Sequence, residues 1–169
     1  MIVPPFAAHT SCGMLCVYVG IFYMHIQNTT ALSTSPMRAA ALQIAEAGYT
    51  ALSTDTVLRS TVSIHGDVLT VAGKTYNLHS YDNLYVLAIG KCALDAAITF
   101  DTLLGERITA GIALDIREQK EALTHITYLR GTHPYPSVEN AAHTKQILAL
   151  AERATSRDIV LVLVSGGGS

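Results

Sequence analysis

The segment 84–93 constrains the fold of this 169-residue chain more than any other segment. It reads Leu-Tyr-Val-Leu-Ala-Ile-Gly-Lys-Cys-Ala, which is six apolar residues followed by a glycine and a lysine. An apolar run without polar alternation is typical of a strand buried on both faces, as in a parallel sheet covered by helices. Beyond it, apolar residues at helical spacing predict a helix that packs back on the sheet: Ala93, Ala96, Ala97, Phe100 and Leu104.

Gly90 and Lys91 lie where the predicted strand turns into this helix. Backbone N–H groups, the positive end of the helix dipole and the lysine charge would face one point there, and such a point attracts an anion. For Lys91 taken alone, a solvated lysine in the first helical turn is an equally good interpretation. Cys92 follows, and burial of its thiol under the helix is favoured over an exposed, activated thiol.

The last residues of the chain repeat this plan. Segment 159–164 is entirely apolar, and five residues after it predict a glycine-rich ligand loop: Ser165, Gly166, Gly167, Gly168 and Ser169. A triple glycine directly after a buried strand favours close backbone approach to a ligand over a flexible tail. We expect 159–164 to be an interior strand that continues into a helix beyond Ser169, so the domain is expected to be truncated. Residues 37–169 alone are then expected to be poorly soluble or oligomeric.

The rest of the pattern alternates helices with strands. It predicts an amphipathic helix over 38–51, a short helix capped by Asp55, a hairpin of 62–64 and 68–71, strands over 108–114 and 125–129, and a helix capped by Ser137. This alternation implies right-handed crossovers and a mostly parallel sheet. The predicted fold class is therefore α/β, a Rossmann-like three-layer domain with helices on both faces of the sheet.

A stiff loop precedes the last predicted helix. It reads Gly131-Thr132-His133-Pro134-Tyr135-Pro136, in which each proline fixes its own φ and holds the preceding residue extended. His133 is a candidate catalytic or ligand-binding group, and a structural hydrogen-bond donor is an equally good interpretation.

Composition excludes several classes of protein. A formal net charge of −2 without a lysine or arginine cluster disfavours binding to nucleic acid or to an anionic membrane surface. Three cysteines, Cys12, Cys16 and Cys92, form no paired framework, and no Cys/His set has zinc spacing. Reduced thiols predict a cytoplasmic protein, and no residue is predicted to bind a metal directly.

Residues 1–36 differ from the rest, because no charged side chain occurs before Arg38. Within them, 6–26 is mostly apolar and near the length that spans a bilayer. Three interpretations stay open: translation that properly begins at Met37, an export or anchor segment, and an extension docked on the domain. The predicted organisation is an apolar extension over 1–36 and one domain over 37–169.

Three segments partly resemble known motifs but do not match them. Gly73-Lys74-Thr75 resembles the end of a Walker A motif, but Val68 occupies the position of its first glycine. The turn at Gly90 lacks the further glycines of a dinucleotide fingerprint. Ser165 is not a hydrolase nucleophile, since Leu163 occupies the position of the first glycine in G-x-S-x-G.

Four segments together resemble the glycerate 2-kinase family, whose C-terminal part is called the MOFRL domain. They match in order and spacing: 38–44 with Ala47-Gly48, 89–93, 131–136 and 163–169. The resemblance implies a Rossmann-like N-terminal domain, a second α/β domain and a cleft between them in which ATP, with Mg²⁺, phosphorylates D-glycerate. Glycerate and ATP are then the small-molecule partners, and a homo-oligomer is compatible with the resemblance.

The resemblance also implies roles for residues. Lys91 would neutralise charge on the transferring phosphoryl group, and the loop from Ser165 to Ser169 would hold phosphate or carboxylate. Cys92 replaces the family's usual alanine, and the second domain does not occur within these residues, so the chain by itself is expected to be inactive. Two alternatives remain: a hydroxypyruvate reductase, which needs a nicotinamide site, and a non-catalytic nucleotide- or anion-binding module.

Overall fold

A computed structural model describes residues 25–120 and 122–166 of the chain. The chain divides into two compact units, 1–46 and 47–169. In the first unit, helix α1 (Thr29–Leu32) is a single turn, and helix α2 (Pro36–Ala51) begins. The backbone N–H groups of His25 and Ile26 donate to the two carboxylate oxygens of Glu46, at 2.7 and 2.9 Å.

Helix α2 confirms the predicted helix over 38–51, but its apolar stripe is not part of a core. None of its described residues is buried, and Ile44 is 75% exposed. The helical spacing of apolar residues thus predicted the helix without predicting burial. The apolar run at 6–26 lies almost wholly outside the described residues, and no described helix is long and apolar enough to cross a membrane.

The second unit contains helix α3 (Thr54–Thr61) and a small antiparallel sheet. Its strands are β1 (Val62–His65), β2 (Val68–Val71) and β3 (Lys74–Asn77), in that order. The predicted hairpin is confirmed, whereas β3 was not predicted. Gly73 and Lys74 therefore belong to a second hairpin, which agrees with the rejection of a phosphate-binding motif there.

The predicted cap of α3 is wrong. Ser53, and not Asp55, is the N-cap residue, because its side chain accepts a hydrogen bond from the N–H of Thr56 at 3.2 Å. Asp55 lies in the first helical turn and accepts hydrogen bonds from Arg59 and from the hydroxyl of Thr99. Both residue types cap helices well, so the pattern alone did not decide between these two positions, which are two residues apart.

A four-stranded parallel sheet forms the centre of the second unit. Its order is β6-β5-β4-β7, with β4 (Asn83–Ile89), β5 (Ala110–Asp115), β6 (Ile126–Arg130) and β7 (Asp158–Val164). Helix α4 (Ala93–Leu104) follows β4, and helix α5 (Val138–Glu152) follows β6. Single 3-10 turns cover Leu78–Ser80 and Gly105–Arg107. The α/β class and the parallel sheet are confirmed.

Two hydrophobic clusters cover the two faces of this sheet. On one face, α4 buries the whole predicted stripe, and side chains of α3 and the small sheet join it. On the other face, Ile147 and Leu150 of α5 pack on Tyr85, Leu87 and Ile112. The strand that organises both clusters is β4, in which Val86 and Ala88 have no solvent exposure.

Strand β7 lies at an edge of the sheet that the structure describes, whereas its sequence predicted an interior strand. It pairs in parallel with β4 only, so within the described residues it lies at an edge of the sheet. Val162 and Val164 are 59% and 67% exposed, respectively. An apolar run predicts a strand, but its burial depends on what packs beside it, and no described element covers these two valines.

Candidate functional site

Three connections meet at one edge of the parallel sheet. They follow the carboxyl ends of β4, β6 and β7, and they contain the residues predicted to bind a ligand. In open α/β sheets, ligands bind beyond the carboxyl ends of the strands. The candidate site therefore lies at this edge.

The turn after β4 requires glycine at position 90. Its φ is +107°, which disfavours any L side chain. A Cβ atom there would lie 2.5 Å from the carbonyl oxygen of Ser165 and 2.6 Å from its hydroxyl. Gly90 is buried because the residues after β7 pack directly against it.

Ser165 and Gly166 hold this turn in place. The N–H of Ser165 donates to the carbonyl of Ile89 at 2.9 Å, and its Oγ accepts from the N–H of Cys92 at 3.0 Å. The N–H of Lys91 donates to the carbonyl of Gly166 at 3.0 Å. The two predicted loops are thus adjacent, while Gly167, Gly168 and Ser169 lie outside the described residues.

These contacts change which atoms of the turn remain open to a ligand. The backbone N–H groups of Lys91 and Cys92 already have protein partners. Lys91 itself is exposed and Cys92 is half-buried. An anion at this turn therefore has the Lys91 ammonium group available, rather than the backbone donors that were predicted.

Asp115 is a buried charge that sequence reasoning missed. Its side chain is 0% exposed and accepts hydrogen bonds from the N–H of Leu94 at 2.9 Å and from the N–H of Ile116 at 2.7 Å. Arg117 donates to the same carboxylate at 2.9 Å and to Asp95 at 3.0 Å. The carboxylate thus caps the first turn of α4 from the end of β5, beside the Lys91 turn.

The pKa of Asp115 reflects these partners. Burial opposes its ionisation, but the hydrogen bonds from Arg117 and from the N–H groups of Leu94, Ile116 and Arg117 outweigh it and hold the pKa below its ordinary value. The side chain is therefore an ionised structural acceptor near neutral pH. A polar residue directly after a predicted buried strand was the signal that could have found it.

Asn140 anchors the His133 loop to helix α5. Its Oδ1 accepts from the N–H of Thr132 at 2.8 Å, and its Nδ2 donates to the Thr132 carbonyl at 3.0 Å. Ser137 is the N-cap, as predicted, and its Oγ accepts from the N–H of Asn140 at 3.3 Å. The peptide bond between His133 and Pro134 is cis. Sequence reasoning found the loop and its cap but not the asparagine.

A cleft of about 530 Å³ lies between this loop, α5 and the ends of β4 and β5. Gly90 and His133 both line it, so the structure brings these two predicted residues to one cavity. Lys91 and Ser165 lie next to Gly90 in the fold but do not line the cleft.

Nothing in the described part of the chain is arranged as a metal site. No group of three or more His, Cys, Asp or Glu side chains there could hold an ion. Asp95 and Asp115, the carboxylates beside the Lys91 turn, are both hydrogen-bonded to Arg117.

Comparison with known proteins decides the family. Residues 40–169 match a family described as a domain of unknown function, DUF4147. The chain is 32% identical over 145 residues to glycerate kinase of Rattus norvegicus, covering 76% of this chain and 27% of that protein. It is 31% identical over 108 residues to glycerate 2-kinase of Pyrococcus horikoshii, covering 64% of this chain and 24% of that protein. The chain belongs to the glycerate 2-kinase family.

Solved structures agree with this assignment. A crystal structure of a Pyrococcus horikoshii protein superposes with a TM-score of 0.69 at 27% identity, covering 79% of this chain and 30% of that one. The chain spans about a quarter of the length of the curated relatives that it matches. Within the glycerate 2-kinase family, it therefore corresponds to the N-terminal domain.

Proposed function

We propose that this chain supplies the phosphate-facing half of an ATP-dependent glycerate kinase. The observation that carries the proposal is the turn at Gly90, which is locked against Ser165 and Gly166 and leaves the ammonium group of Lys91 exposed at the positive end of α4. Phosphoryl transfer depends mostly on positioning and on electrostatic stabilisation. A lysine on a backbone turn that is held in place at a helix N-terminus supplies both.

In this proposal, Lys91 neutralises charge that develops on the transferring phosphoryl group. Ser165 and Gly166 position the turn, and the glycines up to Ser169 approach the phosphates or the glycerate carboxylate. His133, which lines the same cleft as Gly90, is proposed to contact the bound substrates. The rest of the site belongs to a second domain, because relatives named glycerate kinase are about four times as long as the matched region.

In this proposal, Mg²⁺ binds together with the nucleotide and not at a site of its own on this chain. The carboxylates beside the turn are engaged by Arg117 and do not form a set of ligands for the ion. Mg²⁺ commonly binds through substrate phosphates and one or two carboxylates, so any protein ligand would come from another part of the enzyme. A cytoplasmic location and self-association of the chain are further predictions of the same proposal.

The decisive experiment measures ADP formation that depends on both ATP and D-glycerate, using the whole product of the gene. We expect Lys91→Ala to lower kcat by roughly two to four powers of ten, with little change in KM. Lys74→Ala is the matched control, because Lys74 is an exposed lysine on β3, away from this edge of the sheet. Turnover that is equal in wild type and Lys91→Ala would refute the role of Lys91, and no turnover in wild type would refute the kinase.

A further inference from the structure

The cleft beside Gly90 has the size of a small-molecule site. Its volume of about 530 Å³ falls within the range of roughly 300–1,000 Å³ that is usual for ligand pockets. It lies at the carboxyl ends of β4 and β5, which is where α/β sheets bind ligands. Gly90 lines it, so a molecule in the cleft would lie beside the Lys91 turn.

The walls of the cleft are largely apolar. Ile89 and Leu114 close it on the side of the sheet, Ile147 and Leu148 on the side of α5, and Pro134 and Pro136 on the side of the loop. Leu148 is 54% exposed, although it faces this cavity. Apolar walls of this kind suit the faces of a planar, uncharged ring better than a small charged acid.

Most polar side chains around the cleft already have hydrogen-bond partners within the protein. The hydroxyl of Thr132 donates to the Tyr135 carbonyl at 2.7 Å, and that of Thr144 donates to the Asn140 carbonyl at 2.8 Å. Asn140 itself is committed to Thr132 and Ser137. His133 is the lining side chain that most readily offers a hydrogen bond to a ligand, because it is exposed at the rim.

The charge of the cleft argues against an anion inside it. Among the described residues that line it, none is lysine or arginine, and the carboxylate of Asp115, which also lines it, is buried and paired with Arg117. A carboxylate or phosphate placed there would lose its hydration without gaining a cation, which is costly. Just outside, Lys91 offers that cation.

We infer that the cleft holds the adenine and ribose of the phosphate donor, with the phosphates leaving past Gly90 toward Lys91. This inference rests on the proposed kinase function and adds the location of the nucleoside to it. Glycerate, which is small and anionic, binds outside the cleft. The base packs between the prolines of the loop and the aliphatic side chains of α5, and His133 hydrogen-bonds its edge or the ribose.

The test compares two neighbouring alanines of α5. Both are exposed, but Ala141 lines the cleft and Ala142 does not. Ala141→Phe would fill the cavity, and Ala142→Phe adds the same side chain outside it. Isothermal titration of the full chain with ADP, adenosine, NAD⁺ and D-glycerate should show ADP and adenosine binding weakened at least tenfold in Ala141→Phe alone. Circular dichroism melts of the two variants should coincide.

Each other outcome overturns the inference. For the variants, these outcomes are ADP binding by Ala141→Phe that equals that of wild type, a loss of ADP binding in Ala142→Phe as large as in Ala141→Phe, or a loss of glycerate binding in Ala141→Phe. For wild type, they are absence of ADP binding or tighter binding of NAD⁺ than of ADP. The kinase proposal is judged separately by turnover. If Lys91→Ala abolishes turnover while Ala141→Phe leaves the KM for ATP unchanged, the kinase stands and the nucleoside site fails. If wild type shows no turnover but Ala141→Phe selectively weakens ADP binding, the nucleoside site stands and the kinase fails.

Discussion

The Gly90 turn and the His133 loop both join a strand to a helix at the same edge of the sheet, but they are held in different ways. Groups 21 and 73 positions away in sequence, on Asp115 and Ser165, bind the turn. Asn140, only 8 positions from Thr132, binds the loop. The side-chain contacts of the turn therefore form only when the parallel sheet has assembled. Beyond Gly131, whose N–H donates to the Asp115 carbonyl at 2.8 Å, the loop is held by the first turn of its own helix.

The two kinds of anchoring fit the two roles that we propose for the turn and the loop. In the proposed kinase the Lys91 cation must be placed accurately, and long-range contacts from the ends of two other strands hold the backbone of its turn. The loop borders a cleft, and its side-chain anchor, Asn140, belongs to the helix that follows it. Substitutions in the turn should thus affect global stability, and substitutions in the loop should have local effects.

The largest effect should come from Gly90→Ala. The new Cβ would meet the backbone of Ser165 at 2.5 Å, at a φ of +107°, so we expect about 3 kcal/mol less stability in urea unfolding. Gly66→Ala is the matched control, because Gly66 also has a positive φ, +58°, but nothing within 4 Å of the added atom. It should lose about 1 kcal/mol. Equal losses in the two variants would show that the contact with Ser165 is unimportant.

An intermediate effect should come from Asp115→Asn, which keeps the shape and removes the charge. We expect a loss of about 2 kcal/mol in the free energy of unfolding, because the hydrogen bond from the Leu94 N–H and the ion pair with Arg117 both weaken. Hydrogen exchange should speed up at the Leu94 amide and not at the Thr132 amide. Asp82→Asn, which breaks an exposed pair with Arg157, should cost much less.

The same variant gives a pH dependence whose sign follows from the lowered pKa of Asp115. The unfolded chain binds the proton more readily than the folded one, so the stabilisation is fully present above an unfolded pKa of 3.8 and is lost as pH falls through the folded pKa. The stability difference between wild type and Asp115→Asn should therefore be constant from pH 7 to about pH 4 and shrink below it. A difference that shrinks already between pH 7 and pH 5 would contradict the lowered pKa.

The smallest effect should come from Asn140→Ala. It removes the loop anchor, and we expect a loss of about 1.5 kcal/mol together with faster exchange of the Thr132 amide. The Cys92 and Leu94 amides, which report on the turn, should stay protected. Gln146→Ala, at an exposed position of the same helix, is the control. Faster hydrogen exchange at the Cys92 amide would mean that the loop and the turn are coupled, and would contradict the view that they are anchored separately.

Local patterns in the sequence determined the elements of this protein. The apolar run before Gly90 predicted β4, helical spacing predicted the face of α4 that is buried, and Ser137 marked the start of α5. Each of these signals lies within one turn or one strand, where backbone geometry and side-chain periodicity act directly. The family resemblance, carried by short segments in order, was confirmed for the same reason.

Tertiary structure alone decided which apolar surfaces are buried and which groups meet. Strand β7 is as apolar as β4 but lies at an edge, and the stripe of α2 is exposed. Asp115 and Ser165 reach the Lys91 turn only because β5 and β7 flank β4. Burial and long-range hydrogen bonds depend on which strands and helices pack side by side. Local patterns in a single sequence do not specify that packing.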